Sequence, residues 1–109
     1  MNKPTRFYSN RQEKKVAKAI GGRQTSNSGA TTFNKGDVTT ANWLIECKTC
    51  TKEKQSFSIK KDWLIKNREE CFSMDKDYNA LCFDFGPDTN RYYIVDEKTF
   101  KKMKEALEK

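Results

Sequence analysis

The segment Gly36–Lys48 is the strongest constraint on how this 109-residue chain can fold. It reads Gly-Asp-Val-Thr-Thr-Ala-Asn-Trp-Leu-Ile-Glu-Cys-Lys, with strand-forming residues on either side of a polar turn, and this pattern predicts a β-hairpin. Alternate residues of a strand share a face, so Glu46 and Lys48 project together while Cys47 points the other way. With Asp37 on the first strand, the hairpin aims two carboxylates and an ammonium group at one point.

The trio Asp37, Glu46 and Lys48 has the chemistry of a cation and phosphate site. Paired carboxylates suit a hard divalent cation that keeps several waters and shares the oxygens of a substrate phosphate. A lysine beside such a cation can neutralise the negative charge that gathers on a phosphate in a transition state. The trio therefore predicts metal-dependent chemistry on a phosphate group.

Length and charge limit the class of protein. A chain of 109 residues is enough for one domain with a modest core, and we expect a single domain over residues 1–109. Lys and Arg number 22 against 15 Asp and Glu, and the net charge of +7 favours nucleic acid or anionic lipid as a partner. Because there is no apolar run of membrane-spanning length and no signal-peptide pattern, we expect a cytoplasmic protein without a membrane partner.

Four cysteines and no histidine raise the question of a zinc site. Cys47 and Cys50 have the spacing of a zinc-binding or redox pair. A ribbon-type zinc site needs a second close pair, but ten residues separate Cys71 from Cys82. We therefore interpret the cysteines as reduced and mostly buried thiols, with a structural zinc as the alternative.

The N-terminal segment predicts an arm followed by a helix. Residues 1–8 are expected to form a flexible arm, and Ser9 with Gln12 has the capping-box pattern that begins a helix. Glu13 borders the apolar stripe of that helix. On pattern alone, Glu13 is either a solvated helix residue or a third acidic member of the site.

The next segment, residues 21–36, is rich in glycine, serine and threonine and runs directly into Asp37. Backbone N–H groups, hydroxyl groups and the two cations Arg23 and Lys35 are donors that bind phosphates without reading base sequence. We predict a phosphate-holding loop, and the alternative is a surface loop without a role.

A second helix is expected over about residues 60–72. Five residues are expected on or beside its inner face: Trp63, Leu64, Asn67, Cys71 and Phe72. Lysines cluster around the beginning and outer side of this helix, and Lys60 and Lys61 are candidate phosphate contacts.

The C-terminal third predicts a second hairpin and a third helix. Strands are expected at residues 80–85 and 91–95, with Asp84 as an outward strand residue and Asp88 as a turn residue rather than as metal ligands. An amphipathic helix follows, capped by Asp96. Its apolar stripe has three members: Phe100, Met103 and Leu107.

The predicted order of elements is thus helix, hairpin, helix, hairpin, helix. An α/β fold with a small central mixed sheet flanked by helices can bury one core at this length. Neither an internal repeat nor a second domain is apparent in the sequence.

Four features together resemble the signature of the PD-(D/E)xK nuclease superfamily. They are Glu13 in the first helix, the hydroxyl-rich loop at residues 23–29, Gly36-Asp37-Val38, and Ile45-Glu46-Cys47-Lys48. Their order and spacing are most similar to the Hjc-type Holliday junction resolvases, in a short version of the kind that bacteriophages carry. Gly36 stands where the signature usually has proline. The resemblance implies a restriction-endonuclease-like core.

The resemblance also implies a metal site and roles for its residues. Asp37 and Glu46 would hold one or two Mg²⁺ ions, for which Mn²⁺ could substitute, together with the backbone carbonyl of Cys47. Glu13 would ligate the metal directly or through water. Lys48 would orient the attacking water or stabilise charge on the phosphate.

The substrate implied by the resemblance is a four-way DNA junction or other branched DNA, cut by a homodimer because the two scissile strands are related by a twofold axis. Ser28, followed by Gly29, matches the loop serine of the family. A phage-encoded protein of this kind would act in the host cytoplasm. Two alternatives stay open: a less selective nicking or DNA-degrading nuclease of the same fold, and a basic DNA-binding protein without catalysis.

Overall fold

The structure is a computed structural model that describes residues 5–25 and 37–109. Within these residues the elements follow the order α1 (Thr5–Ile20), β1 (Arg23–Gln24), β2 (Asp37–Thr39), β3 (Trp43–Lys48), α2 (Lys61–Ser73), β4 (Tyr78–Asp84), β5 (Arg91–Ile94) and α3 (Glu97–Leu107). The predicted α/β class with a mixed sheet is confirmed. None of the helices in this part of the chain has the length and apolar character needed to cross a membrane.

The five strands form one sheet in the order β1-β2-β3-β4-β5. Strands β3 and β4 are parallel, and every other neighbouring pair is antiparallel. A parallel pair cannot be joined by a tight turn, so α2 lies in the crossover between β3 and β4. A tight turn does join β2 to β3, where the N–H of Trp43 donates to the hydroxyl oxygen of Thr40 at 3.0 Å.

The two faces of the sheet have different roles. The face covered by α1, called the α1 face below, holds a buried apolar cluster, in which Val16 packs against five buried sheet residues: Val38, Ile45, Cys47, Ala80 and Cys82. Because side chains alternate along a strand, Asp37 and Glu46 lie on the opposite face, called the α2 face. Helix α2 packs there, and the side chain of Asn79 on β4 donates to that of Asn67 at 2.7 Å.

Gln12 ties α1 to the ends of β3 and β4. Its amide nitrogen donates to the backbone carbonyl of Lys48 at 2.7 Å and to Asp84 Oδ2 at 3.0 Å. The other oxygen of Asp84 accepts from the hydroxyl of Thr49 at 2.7 Å and from the N–H of Gly86 at 3.2 Å. These donors replace water around Asp84, which is only 4 % exposed. The prediction of an outward Asp84 is therefore wrong, because this residue lies on the α1 face beneath Gln12.

Helix α1 begins earlier than predicted. Residues 5–8 are helical rather than part of an arm, and Ser9 lies inside the helix instead of capping it. The sequence has a proline at position 4, and proline is common at the beginning of helices because it lacks an N–H that would need a partner. Gln12 does not complete a capping box because its side chain is used by the contacts to the sheet.

The other elements show where sequence patterns were sufficient and where they were not. Helix α2 has the expected bounds and buries Asn67 and Cys71, but Phe72 is 87 % exposed, because one residue beyond Cys71 turns about 100° around the helix.

The short strand β1 lies within the predicted loop, where it pairs with β2. A two-residue strand is too short to leave a periodic pattern in the sequence.

Helix α3 is capped as predicted, since Asp96 Oδ1 accepts from the N–H of Thr99 at 2.8 Å. The side of α3 that faces the protein carries Thr99, which is buried, and Lys102, whose Nζ lies 5.6 Å from the ring centroid of Tyr78. The apolar stripe points elsewhere and stays exposed at 57, 44 and 85 %: Phe100, Met103 and Leu107.

We predict that Asp84→Ala lowers the free energy of unfolding by about 2–4 kcal/mol, because it leaves buried donors without an acceptor. Asp88→Asn is the control. Asp88 is exposed in the adjoining turn and forms ion pairs with Arg11 and Lys15, and because exposed ion pairs contribute little, its loss leaves the free energy of unfolding nearly unchanged. Urea unfolding measures both variants, and equal effects would contradict the structural role assigned to Asp84.

Candidate metal and phosphate site

The hairpin of β2 and β3 brings the predicted trio together. Asp37 and Glu46 are directly opposite each other in the antiparallel register, and the Cβ atoms of such pairs are about 4.5–5.5 Å apart. Lys48 follows on the same face, with its Nζ 3.3 Å from Glu46 Oε2. Two neighbouring strands thus hold two acids and one amine on the α2 face.

Asp37 is almost completely buried, with 1 % of its surface exposed. Burial, which has the largest effect, and the charges of Glu70 and Glu46 together raise the pKa of its carboxyl group to about 9. The carboxyl groups of Asp37 and Glu70 also share a hydrogen bond, in which protonated Asp37 donates. Without a cation, this cluster keeps a proton at neutral pH.

Glu70 on α2 is a member of the site that the sequence analysis missed. Its carboxyl group contacts Asp37. Burial raises the pKa of Glu70, and the negative charge of Glu46 also raises it. The signal was present in the sequence, because Glu70 is three residues after Asn67 and seven after Trp63, which places all three on one side of a helix. An acid on the inward side of a helix is uncommon unless it has a partner.

The donor atoms of this cluster fit a divalent cation. Apart from the proton shared by these two carboxyl groups, the buried atoms Asp37 Oδ2 and Glu70 Oε2 have no hydrogen-bond partner among the described residues. Buried carboxylate oxygens require a proton, a donor or a metal. Among residues 5–25 and 37–109, no group of three or more Cys, Asp or Glu side chains is arranged to hold a metal. Mg²⁺ commonly binds through one or two carboxylates plus water and phosphate, and a Mg²⁺ site at Asp37 and Glu46 stays a prediction.

Glu13 lies on α1 and is half-buried at the margin of the site. Its Oε1 accepts from the side-chain amide of Gln24 at 3.2 Å. Burial raises the pKa of Glu13, while Gln24 and the charge of Arg6 lower it. Among the groups that raise the pKa of Asp37, Glu13 has the smallest effect. Direct or water-mediated ligation by Glu13 stays a prediction.

Trp63 on α2 positions the amine of Lys48. The Nζ of Lys48 lies 4.5 Å from the Trp63 ring centroid, and Lys60 Nζ lies 5.7 Å from the same ring. A cation over an aromatic face is attracted to its negative quadrupole. Lys48 is therefore held between Glu46 and Trp63, with its ammonium group directed over the α2 face.

The structure describes the positions of some of the predicted phosphate contacts and not of others. Arg23 is exposed and pairs with Thr39, which places Arg23 on the same face as Asp37. Lys61 is exposed at the first residue of α2. Ser28 and Lys35 lie outside the described residues.

Three of the cysteines are buried, and Cys50 is half-buried. All four are free: Cys47, Cys50, Cys71 and Cys82. Burial raises the pKa of the Cys47 thiol, whose side chain packs in the core on the α1 face. Any contact of Cys47 with a metal at the site is thereby left to its backbone carbonyl, which stays a prediction.

The arrangement can hold a divalent cation between carboxylates and present an ammonium group to a phosphate. No protein-family model, curated protein or solved structure matches this chain. The chemistry of Asp37, Glu46, Lys48 and Glu70 is accordingly the feature that bears on function.

We predict that the metal-free protein loses stability as pH rises between about pH 4 and pH 9, the interval between the ordinary pKa of Asp37 and its raised value. The folded state binds this proton more tightly than the unfolded chain, so rising pH favours unfolding. Asp37→Asn removes this contribution and makes the protein at least about 1 kcal/mol more stable at pH 8.

Urea unfolding in EDTA at a series of pH values measures the effect. The matched control is Asp62→Asn, which removes an exposed acid paired only with Lys66 and should leave both stability and its pH dependence unchanged. A destabilised Asp37→Asn protein at pH 8 would show that the buried carboxyl group is not under electrostatic strain.

Proposed function

We propose that this chain is a Mg²⁺-dependent DNA endonuclease, selective for Holliday junctions or other branched DNA, with a restriction-endonuclease-like core. The observation that carries the proposal is the pairing of Asp37 with Glu46 across β2 and β3, with Lys48 3.3 Å from Glu46. This is the arrangement that the PD-(D/E)xK resemblance calls for. The burial of Asp37 and its contact with Glu70 add support, since a cation would relieve the repulsion among these acids.

Asp37 and Glu46 are the proposed metal ligands, assisted by the carbonyl of Cys47 and by Glu13. A bound Mg²⁺ supplies a Lewis acid that polarises the phosphate and lowers the pKa of a coordinated water. On binding a cation, Asp37 would release its proton to solvent, because an adjacent cation favours the charged carboxylate. Glu70, which shares that proton in the metal-free protein, is positioned to orient Asp37.

Lys48 is the proposed electrostatic catalyst. Hydrolysis adds water to phosphorus and breaks the bond to the leaving oxygen, and negative charge accumulates on the phosphate oxygens between these events. The ammonium group of Lys48, held by Glu46 and Trp63, donates hydrogen bonds to those oxygens or to the attacking water. No proton transfer by histidine is required.

Basic residues around the site are the proposed contacts to the DNA backbone. The net charge is +7, and Arg23, Lys60 and Lys61 are exposed near the α2 face. Phosphate contacts of this type position a duplex without reading its sequence. They supply affinity, whereas selectivity for branched DNA requires a difference in affinity between substrates.

A homodimer is part of the proposal, because symmetric cleavage of two strands needs two sites. The surface that a second copy would cover is the exposed stripe of α3, where Phe100 and Met103 form a contiguous apolar ridge one turn long. Adjacent exposed apolar side chains on one helix face are candidates for a contact with another protein surface. Leu107 extends the ridge and is 85 % exposed.

We predict that wild-type protein with Mg²⁺ cleaves a synthetic four-way junction faster than a linear duplex of the same sequence, and that EDTA abolishes cleavage. Asp37→Asn, Glu46→Gln and Lys48→Ala each lower the single-turnover rate at least about 100-fold, because each removes a group used in the transition state. Asp62→Asn is the control, since this exposed acid lies outside the site.

Equal rates for wild type and Asp37→Asn would exclude the proposed chemistry. Equal rates on junction and duplex would leave the chemistry intact and favour the less selective nuclease. Binding of all these DNAs without cleavage under any divalent cation would favour the non-catalytic DNA-binding protein.

We also predict that Met103→Glu shifts the protein from dimer to monomer, because it buries a charge in the α3 interface. Lys98→Glu, on the opposite side of α3, is the control and leaves the dimer intact. Size-exclusion chromatography with light scattering measures the molar mass. A wild-type monomer at all concentrations would contradict the dimer.

A further inference from the structure

An aromatic cluster lies beside Lys48 on the α2 face. It comprises five rings: Phe57, Trp63, Phe83, Phe85 and Tyr92. Phe83 is directly opposite Lys48 in the parallel register of β3 and β4, and directly opposite Tyr92 in the antiparallel register of β4 and β5. The rings therefore continue from the site across the sheet to its edge.

The members of the cluster are in ring-to-ring contact. The centroid of Phe57 is 6.4 Å from that of Trp63 and 5.3 Å from that of Phe83. Tyr92 lies 5.7 Å from Phe83 and 5.8 Å from Phe85. These distances are those of stacked and edge-to-face pairs, so the rings support one another as a rigid surface.

The cluster is not the hydrophobic core of the protein. The fully buried apolar side chains, which include Leu44 and Leu81 on the α2 face itself, contain none of these rings. Four of the rings are only half-buried, and Tyr92 is 48 % exposed. Large aromatic side chains on an open sheet surface beside a candidate phosphate site call for a ligand with flat apolar faces.

Lysine side chains lie at both ends of the cluster. Lys48 and Lys60 lie over the ring of Trp63 at one end. At the other end, an open groove of about 330 Å³ is lined by Lys54, Phe85 and Tyr92, with Glu53 as its one acid. The N–H of Lys54 donates to the carbonyl of Phe85 at 2.7 Å, which fixes this loop beside the rings.

We propose that this aromatic cluster is a stacking platform for the unpaired bases of a single-stranded DNA segment whose backbone leads into the site at Lys48, an inference that rests on the proposed nuclease function for the choice of DNA. Aromatic rings bordered by lysines, here Lys48 and Lys60, are the combination that binds single strands without sequence preference, because every base has a stacking face. Continuity with Lys48 distinguishes this occupant from a second copy of the chain. The substrate would then carry an unpaired strand next to the scissile phosphate, as a flap, a gap or an opened branch point does.

The test compares two adjacent tyrosines on β5 that face opposite sides of the sheet. Tyr92 is on the α2 face and Tyr93 on the α1 face, with 48 and 41 % of their surfaces exposed. Tyr92→Leu keeps apolar packing but removes the stacking surface, Tyr92→Phe keeps the ring, and Tyr93→Leu is the matched control. Fluorescence anisotropy with a labelled oligothymidylate in EDTA measures the dissociation constant without cleavage.

The expected result is at least about a fivefold weakening for Tyr92→Leu, the lower end of the effect of one lost base stack. Tyr92→Phe and Tyr93→Leu should stay within about twofold of wild type, and binding of blunt duplex should change less than binding of the single strand. Equal weakening by Tyr92→Leu and Tyr93→Leu would overturn the proposal. A circular dichroism melt of each variant shows which proteins are folded, and only these are compared. If Tyr92→Leu is unfolded, Phe85→Leu replaces it, with the same expected weakening of single-strand binding.

Three further arms give distinct outcomes. Wild-type protein that shows Tyr92-dependent binding of the single strand but cleaves none of the DNA substrates with Mg²⁺ or Mn²⁺ would remove the nuclease and keep the platform. Tighter, Tyr92-dependent binding of a matched RNA strand would overturn the choice of DNA. Dissociation of a dimer by Tyr92→Leu, in place of an effect on DNA, would show that a second copy occupies this face and would overturn the platform.

Discussion

The antiparallel pairing of Asp37 with Glu46 is the interaction on which the rest of the structure depends. It places two acids side by side on the sheet, and Glu70 of α2 closes over them as a third. Few arrangements are less favourable in a small metal-free protein, because each buried charge loses its hydration and repels the others. The cluster responds by keeping a proton on Asp37. A cation that replaced this proton would turn the repulsion into attraction, which connects the fold to the proposed chemistry.

The remainder of the protein provides the rigidity that such a site requires. On the α1 face, Val16 packs against the sheet, and Gln12 binds both the end of β3 and Asp84. Glu46 and Lys48 are therefore fixed by a strand that is hydrogen-bonded on both edges and covered from behind. Preorganised groups of this kind need little rearrangement during reaction, and that is the usual source of electrostatic catalysis. The unfavourable cluster is stable only because these contacts elsewhere hold it in place.

The sequence was sufficient for the parts of the structure that depend on local pattern. Alternation along β3 placed Glu46 and Lys48 together, and the cap at Asp96 followed from its position before an amphipathic helix. Contacts between distant residues were not predictable in this way. Gln12 donates to Asp84, which is 72 residues away in the sequence. Because of this contact, Asp84 is buried rather than outward-facing, and the side chain of Gln12 does not form the expected capping box. Helical periodicity could have placed Glu70 on the inward side of α2. Only the crossover path of α2 in the structure shows that this side faces Asp37.

Thermal unfolding with and without Mg²⁺ tests most directly whether the carboxylate cluster is a cation site. A ligand that binds only the folded state raises the melting temperature, by several degrees at concentrations well above its dissociation constant. We predict that the melting temperature of the wild type is several degrees higher with Mg²⁺ than in EDTA. The melting temperature of Asp37→Asn should be the same under both conditions. An equal rise in both proteins, or no rise in the wild type with either Mg²⁺ or Mn²⁺, would contradict a metal site at Asp37 and Glu46.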